Sequence, residues 1–384
     1  MFAWEQCKLG DVCDVYDGIH HTPDYQDNGI MFLSVENIST LTSDKFVSRD
    51  FFEQNYKIFP EKGDILLTRI GNVGTPNVVE STDKLAYYVS LALLKAPKIN
   101  SYFLCNLICT QEFKKELHRK TLTTAIPQKI NKDEIRKITF FDSTSSDERK
   151  KIGSLLEKIN FTITLHEEKK QQLKCLKSAL LQKMFAYKNK SGDPDVRFKG
   201  FDERWERHML NDLAIFNPKG TLPTSFEYVD LGSVIGVEMI SHKTISKFDA
   251  PSRAQRLAQV GDLFYQTVRP YQQNNYLFDN KDNAYVFSTG YAQLRPLIDG
   301  YFLLCLVQTK SFVRKVMNAC TGTSYPAINS QDLAQIGVNI PINSKEQRLI
   351  GNLYKVIDNL IMLYQQKLDD LNTIKQSLLQ KMFI

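Results

Sequence analysis

The sequence has little of what would define a membrane or secreted protein. No apolar run in its 384 residues approaches the ~18 that a membrane-spanning helix needs. Its first residues contain no basic stretch followed by an apolar segment, so we expect no secretory signal. Its 7 cysteines are odd in number and scattered, which argues against a disulfide framework. These absences predict a cytoplasmic protein with no membrane partner.

The sequence also lacks the motifs of catalytic sites. It contains no Walker-type phosphate loop and no Rossmann glycine fingerprint. Residues 217–220 lack the second proline and the aromatic side chain of an amino-methyltransferase loop, and the Glu-x-Lys spacing of residues 168–170 lies in a charged helix. The adjacent His20 and His21 are typical of a loop, and no His pair follows Cys105 and Cys109 at zinc spacing. We therefore predict no catalytic residue and no metal ligand.

What the sequence does contain is an internal repeat. Residues 180–185, Leu-Leu-Gln-Lys-Met-Phe, recur letter for letter as residues 378–383, an offset of 198 residues. Within a few residues of that offset, Trp4-Glu5 returns as Trp205-Glu206, Gly63-Asp64 as Gly261-Asp262, Tyr102-Phe103-Leu104 as Tyr301-Phe302-Leu303, and Glu148 as Glu346. Each copy is long enough to form a domain with its own core. The pattern indicates a tandem duplication of nearly the whole chain.

Each copy ends in one long predicted helix. Residues 147–185 and 345–383 carry apolar residues at alternating spacings of three and four, which is a heptad seam. The seam residues are Leu156, Ile159, Ile163, Leu173 and Leu180 in the first copy, and Ile357, Ile361, Leu368, Leu371 and Leu378 in the second. A helix of this length, roughly 58 Å, cannot bury such a stripe alone. Pseudo-two-fold symmetry between the copies favours an antiparallel coiled coil.

The front part of each copy mixes short strands with one helix candidate, at residues 102–119 and 301–318. The fold class is therefore α+β. We predict mixed front domains at residues 1–145 and, with the linker, 187–343, and long helices at residues 146–186 and 344–384.

The loops between the repeated letters differ from copy to copy and are rich in basic and hydrogen-bonding side chains. The net charge of +6 permits a polyanion as partner. Arginine pairs with guanine, glutamine and asparagine pair with adenine, and hydroxyl and lysine side chains bind phosphates. Arg69 and Arg269 are the strongest candidates because both follow the Gly-Asp strand. The other candidates for DNA contact are Asn72, Lys120, Thr123, Thr124, Gln128, Lys129, Tyr271, Gln272, Gln273, Asn274, Thr323, Ser324 and Tyr325.

These features resemble the specificity subunit of type I restriction-modification enzymes. The resemblance rests on the two Leu-Leu-Gln-Lys-Met-Phe helix ends, on residues 194–205, on residues 4–12, and on the order of variable region, helix, variable region, helix. It implies two target-recognition domains held apart by an antiparallel helix pair, each reading one half of a bipartite site in double-stranded DNA. It also implies assembly with two modification subunits, which carry S-adenosylmethionine, and with motor-nuclease restriction subunits, which use ATP and Mg²⁺. The chain itself would hold no cofactor and perform no catalysis.

Other interpretations remain open at this point. The variable loops are also compatible with a solvated surface, and the chain with a coiled-coil adaptor that binds proteins and makes no site-specific DNA contact. A self-contained methyltransferase or nuclease would need the motifs that are absent. One departure from the family pattern is that only three residues precede Trp4, whereas residues 194–201 precede Trp205; we expect this difference to affect how the first half is seated. The letters do not give the recognised bases or the gap length.

Overall fold

The computed structural model of the chain describes residues 4–185, 193–281, 284–322 and 324–383. These residues form two compact units. Unit 1 comprises residues up to 167 together with residues from 366 onward, and unit 2 comprises residues 168–365. No helix in the described ranges is long and apolar enough to cross a membrane.

The elements of unit 1 follow one another as short strands, short helices and one long helix. The strands are β1 (Trp4–Lys8), β2 (Asp14–Asp17), β3 (Ile30–Leu33), β4 (Phe46–Val47), β5 (Ile65–Thr68), β6 (Pro76–Val78), β7 (Leu85–Tyr87), β8 (Leu91–Lys95) and β9 (Thr139–Ser143). The helices are α1 (Leu9–Val12), α2 (Arg49–Asn55), α3 (Ser101–Ile108), α4 (Gln111–Lys120), α5 (Lys132–Arg136) and the long α6 (Ser146–Met184), of which unit 1 contains the first part.

Three small sheets organise unit 1. The central sheet has the order β2-β8-β5-β6 and is antiparallel throughout. A second sheet, β4-β3-β7, contains a parallel pair between β3 and β7, and β1 pairs with β9. One face of the central sheet packs against α3 and α4 and the other against the second sheet, so β5 and β8 are fully buried except at Lys95. Unit 1 is therefore built from three layers, with the central sheet in the middle.

Unit 2 repeats this plan with a larger second sheet. Its strands are β10 (Glu206–Met209), β11 (Ala214–Phe216), β12 (Ser225–Val229), β13 (Val234–Ile235), β14 (Glu238–Met239), β15 (Lys243–Ser246), β16 (Ala254–Leu257), β17 (Leu263–Gln266), β18 (Tyr276–Leu277), β19 (Tyr285–Ser288), β20 (Tyr291–Pro296) and β21 (Gly337–Ile340). Its helices are α7 (Leu210–Leu213), α8 (Gly300–Val307), α9 (Lys310–Ala319), α10 (Ser330–Ala334) and the long α11 (Ser344–Met382). The sheet β11-β20-β17-β18 corresponds to the central sheet of unit 1, and β15-β12-β19-β16 to its second sheet.

The prediction of a single helix in each front part is wrong, because a threonine separates two shorter helices. The Thr110 hydroxyl donates to the Leu107 carbonyl at 2.7 Å, which closes α3, and accepts from the Phe113 N–H, which opens α4. Thr309 makes the same pair of hydrogen bonds between α8 and α9. A threonine that satisfies the free groups of both helix ends stabilises the break.

The predicted seam residues lie on the less exposed face of each long helix. All ten named seam residues are buried or half-buried, whereas most neighbouring positions on both helices are exposed. In unit 2, Lys177 of α6 forms a 2.5 Å ion pair with Asp358 of α11, and Lys170 donates to Gln365. The residue numbers of the partners fall on α11 as they rise on α6. The two helices are therefore antiparallel, as predicted.

A glycine near the start of each long helix permits close packing against a short helix of the same unit. A Cβ at Gly153 would lie 2.2 Å from Asn100 Oδ1, and one at Gly351 would lie 2.4 Å from Asp299 Oδ1. Asn100 and Asp299 are the N-caps of α3 and α8. Glycine at these two positions therefore lets each long helix start directly over a helix of its own unit.

The linear division of the chain at residues 145, 186 and 343 stays a prediction. The compact units are composed differently, because each contains one part of α6 and one part of α11. Leu378 in the last turns of α11 and Phe383 just after that helix pack in the core of unit 1. Met184 at the end of α6 and Phe185 just after it pack in the core of unit 2.

Candidate nucleic-acid interface

Two loops meet at the surface of unit 2. One follows β17 (residues 267–275), and the other lies between α9 and α10 (residues 320–329). The Arg269 N–H donates to the Pro326 carbonyl at 2.8 Å, the Ile328 N–H donates to the Thr267 carbonyl at 3.0 Å, and Thr321 pairs with Ala327. The sequence placed its second-copy candidates on these two loops, and the structure brings the loops together.

Arg269 is a half-buried basic residue at this junction. Its guanidinium carbon lies 4.4 Å from the centre of the Tyr325 ring, and that ring is 65% exposed. Ser324 is exposed beside Tyr325, and Tyr271 is half exposed. Among the predicted contacts, Thr323 lies outside the described residues.

The amide-rich run after Arg269 is partly structural. Gln273 exchanges hydrogen bonds with the backbone and side chain of Gln308, at 2.6 and 2.9 Å. The Asn274 side chain accepts from the Gly236 N–H at 2.8 Å, and Gln272 accepts from Gln266. Gln272 is exposed, whereas Gln273 and Asn274 are half-buried. These amides hold the loop in place, so the density of amides in the sequence does not by itself mark a reading surface.

In unit 1 the corresponding loops also meet. The Gly71 N–H donates to the Gln128 carbonyl at 2.9 Å, and the Gln128 side chain donates back to the Gly71 carbonyl at 3.0 Å. Asn72, Thr123, Thr124 and Lys129 are exposed around this contact, and Lys120 is half-buried at the end of α4. The structure thus brings together the two loops on which the first-copy candidates were predicted.

Arg69 corrects the sequence-based expectation. Its side chain is 7% exposed, forms an ion pair with Asp17 of β2, and donates from Nε to the Ile130 carbonyl at 3.1 Å. Burial lowers the pKa of this guanidinium. Arg69 therefore connects two loops from inside the unit and does not present its donors to a ligand.

Arg69 and Arg269 also do not occupy equivalent positions. The Arg69 N–H donates to the Ser90 carbonyl, and its own carbonyl accepts from the Ile130 N–H, both at 2.9 Å. In unit 2 these two backbone bonds are made by Thr267, at 2.9 and 3.0 Å. Arg269 instead matches Gly71, because both donate to the loop before α5 or α10. Counted from the repeated Gly-Asp pair, Arg269 lies two residues further along its loop than Arg69.

Arg253 is an exposed basic residue near the junction that the sequence did not single out. The Arg253 carbonyl accepts from the Thr289 N–H at 2.8 Å. The carbonyl of Gly290, the residue after Thr289, accepts from the Thr267 N–H at 2.9 Å. No repeated letter marks Arg253, since it lies in a long connection between β15 and β16. Only the strand order places it beside the two loops of this junction.

A groove lies on each unit where a long helix passes the second short helix. The groove of unit 2, about 720 Å³, is lined by the start of α9 and the end of α6. That of unit 1, about 620 Å³, is lined by the start of α4 and the end of α11. Equivalent residues line both: Thr110 and Thr309, Lys115 and Arg314, Leu379 and Leu181, Gln380 and Gln182, Phe383 and Phe185. The recurring Leu-Leu-Gln-Lys-Met-Phe letters thus form one wall of the same groove twice.

The described residues offer no sign of a metal centre: they contain no group of three or more His, Cys, Asp or Glu side chains that could hold an ion. Burial raises the pKa of the Cys105 and Cys109 thiols, and these two residues lie in and beside α3. The accessible chemistry at the loop junctions consists of arginine, lysine, amide, hydroxyl and tyrosine groups, which bind nucleic acids.

The described residues form two similar units that differ in their exposed loops and share two long antiparallel helices. A family model described as the type I restriction modification DNA specificity domain matches residues 1–175 and 203–373. The chain belongs to this family.

The chain is also similar to individual proteins in part of its sequence or in its fold. The specificity subunit of the type I restriction enzyme MjaVIII from Methanocaldococcus jannaschii is 24% identical over 190 residues, which cover 46% of this chain and 44% of that protein. The matched part is therefore less than half of that relative's length. The crystal structure of a type I restriction-modification S subunit from M. genitalium shares the fold, with a TM-score of 0.70 at 14% identity over all of this chain and 96% of that one. A structure from work on assembly of the type I restriction-modification system aligns with a TM-score of 0.50 at 15% identity, over all of this chain and 98% of that one.

Proposed function

We propose that this chain is the DNA-specificity subunit of a type I restriction-modification enzyme and that each unit reads one half of a bipartite duplex site. The observation that carries the proposal is the contrast between scaffold and loops. The two units repeat the same central sheet and the same backbone bonds between loops, yet they expose different side chains there. Sequence-specific recognition needs a constant frame with variable contacts to base edges.

The long helices would fix the gap between the half-sites. Each helix contributes residues to the cores of both units, and each has 39 residues. A continuous helix has a fixed rise of about 1.5 Å per residue, so its length is determined by residue number. We therefore expect one permitted gap length.

The two equivalent grooves would receive two copies of one partner, the modification subunit. The equivalent residues that line both grooves favour this partner, because a surface repeated at two places on one chain fits the same partner twice. S-adenosylmethionine would be bound by the modification subunits, and ATP and Mg²⁺ by the restriction subunits. This chain would supply recognition and no catalysis.

The test is a map of N6-methyladenine in host DNA with and without this gene, the modification gene being intact. The proposal predicts that a split motif with a fixed gap loses methylation on deletion and regains it on complementation. Exchanging residues 1–145 for those of a relative should change one half of the motif only. An unchanged map would contradict the proposal and favour an adaptor that binds only proteins.

A further inference from the structure

The residue at the loop junction of unit 2 is unusual in its backbone. Arg269 has φ 54° and ψ 55°, the left-handed region that side chains with a Cβ avoid. Its counterpart in unit 1 is Gly71, with φ 80°. Glycine adopts this conformation without steric cost, so it is the residue that the backbone alone would select.

Packing does not account for an arginine here. The residue is only half-buried, and no carboxylate pairs with its guanidinium among the residues that the structure describes. Its backbone is held by the bond to Pro326 and by the Gln272 N–H, which donates to the Arg269 carbonyl at 3.0 Å. Strained residues that persist at exposed, well-held positions are concentrated at binding sites.

The side chain is also oriented. The guanidinium carbon lies over the Tyr325 ring, 4.4 Å from its centre, so the ring covers one face of the guanidinium. Stacking restricts the N–H donors of the guanidinium, which form a planar fork, to fewer orientations. This restriction lowers the conformational entropy that the side chain loses on binding. A fork with this restriction suits a planar partner with two acceptors.

We infer that Arg269 reads a guanine, donating to its O6 and N7, in the half-site bound by unit 2, with Tyr325 as the positioning residue. The inference rests on the proposed function. Guanine is the base that offers two acceptors on its major-groove edge. A phosphate is the competing partner, but a phosphate contact would serve both units equally. The counterpart of Arg269 is Gly71, so this contact belongs to unit 2 alone, as expected for a base contact.

Two substitutions separate these roles. Arg269→Gly restores the residue of unit 1 and relieves the left-handed conformation, so the melting temperature should stay within about 2 °C of the native value. Arg269→Lys retains the charge and removes the fork. A phosphate contact tolerates lysine, whereas a bidentate base contact does not.

The experiment begins with the methylation motif of the native gene in its host. The complex purified from that host is then titrated with four duplexes that differ only at the guanine of the affected half-site. The native complex should prefer the G·C duplex by roughly 5- to 150-fold, and both variants should lose most of that preference while keeping the other half-site. Tyr325→Ala should reduce it in part.

Three results would overturn the inference: a native motif with no G·C pair in the affected half, a lysine variant that retains the native preference, or equal weakening on all four duplexes with a salt dependence reduced by about one ion. Each leaves the proposed function intact. A host in which no methylated motif depends on this gene would instead contradict the proposed function, and the inference with it.

Discussion

Arg197 and Glu346 form a buried ion pair that joins the segment before β10 to the first turns of α11. Arg197 Nε and Nη2 donate to the two carboxylate oxygens of Glu346 at 2.9 and 2.7 Å. The Glu346 side chain is 1% exposed and the Arg197 side chain 16%. The hydrogen bonds to this carboxylate raise the pKa of Arg197. We predict that Arg197→Ala destabilises unit 2 strongly.

The magnitude follows from the burial of the partner. Truncating Arg197 leaves the Glu346 carboxylate inside the protein with neither a counter-ion nor two of its donors. Removing one partner of a buried pair costs about 3–5 kcal/mol. For a unit of this size, the lower end of that range corresponds to roughly 6–12 °C in melting temperature. Replacing both partners, in Arg197→Met with Glu346→Leu, should recover most of the loss, because no unpaired charge remains.

Differential scanning calorimetry of the full chain is the assay. Glu148→Gln is the matched control, since Glu148 is the counterpart of Glu346 at the repeat offset, is half-buried, and accepts from Ser143. It should lower the melting temperature far less than Glu346→Gln. If Arg197→Ala melts within about 2 °C of the native chain, or if the double variant is no more stable than Arg197→Ala, the argument from buried charge is refuted.

Three further predictions concern other parts of the chain. Leu156→Ala, at a fully buried seam position, should cost about 3 kcal/mol in denaturant unfolding, whereas Leu176→Ala, 48% exposed on the same helix, should cost under ~0.5; equal costs would contradict the seam. Arg69→Ala should lower stability by about 1–3 kcal/mol without changing a single base preference, so a changed motif would restore Arg69 as a DNA contact. Cys175 should react with a thiol reagent at pH 8 in the native chain, and Cys13 only after unfolding, because burial raises the pKa of the Cys13 thiol to about 12; prompt labelling of Cys13 would show that the core is open.

The repeat and the long helices could be predicted from the sequence because both are periodic. A heptad stripe identifies its buried face wherever it lies, and every named seam residue from Leu156 to Leu378 is buried or half-buried. The break at Thr110 and Thr309 could not be read in this way, because threonine fits within an amphipathic helical pattern as well as at a cap. The hydroxyl bonds that end one helix and begin the next appear only in the fold.

The loop residues show a second limit of the sequence. Arg69 looks like a DNA contact until its partner Asp17, 52 positions away, is known. Counting from the Gly-Asp strand pairs Arg69 with Arg269, whereas backbone hydrogen bonds pair Arg269 with Gly71. Composition singled out the loops that meet at the surface of each unit, and three-dimensional register decides which of their side chains face outward.

The composition of the units shows a third limit. A chain written as front part, helix, front part, helix suggests four segments in a row. The antiparallel helix pair instead brings the end of α11 into unit 1 and the end of α6 into unit 2. Chain order could not reveal this exchange, because it depends on the direction in which the helices pair.

The most direct test of the central claim is a series of duplexes that carry both mapped half-sites with the native gap, or with one or two base pairs added or removed. Methylation by the complex purified from its host is measured on each duplex. If two units on one fixed helical frame read the two halves, the native gap should be methylated and every altered gap should lose most of that activity, since each added base pair shifts a half-site by about 3.4 Å and turns it around the axis. Equal methylation at all gap lengths would contradict the account.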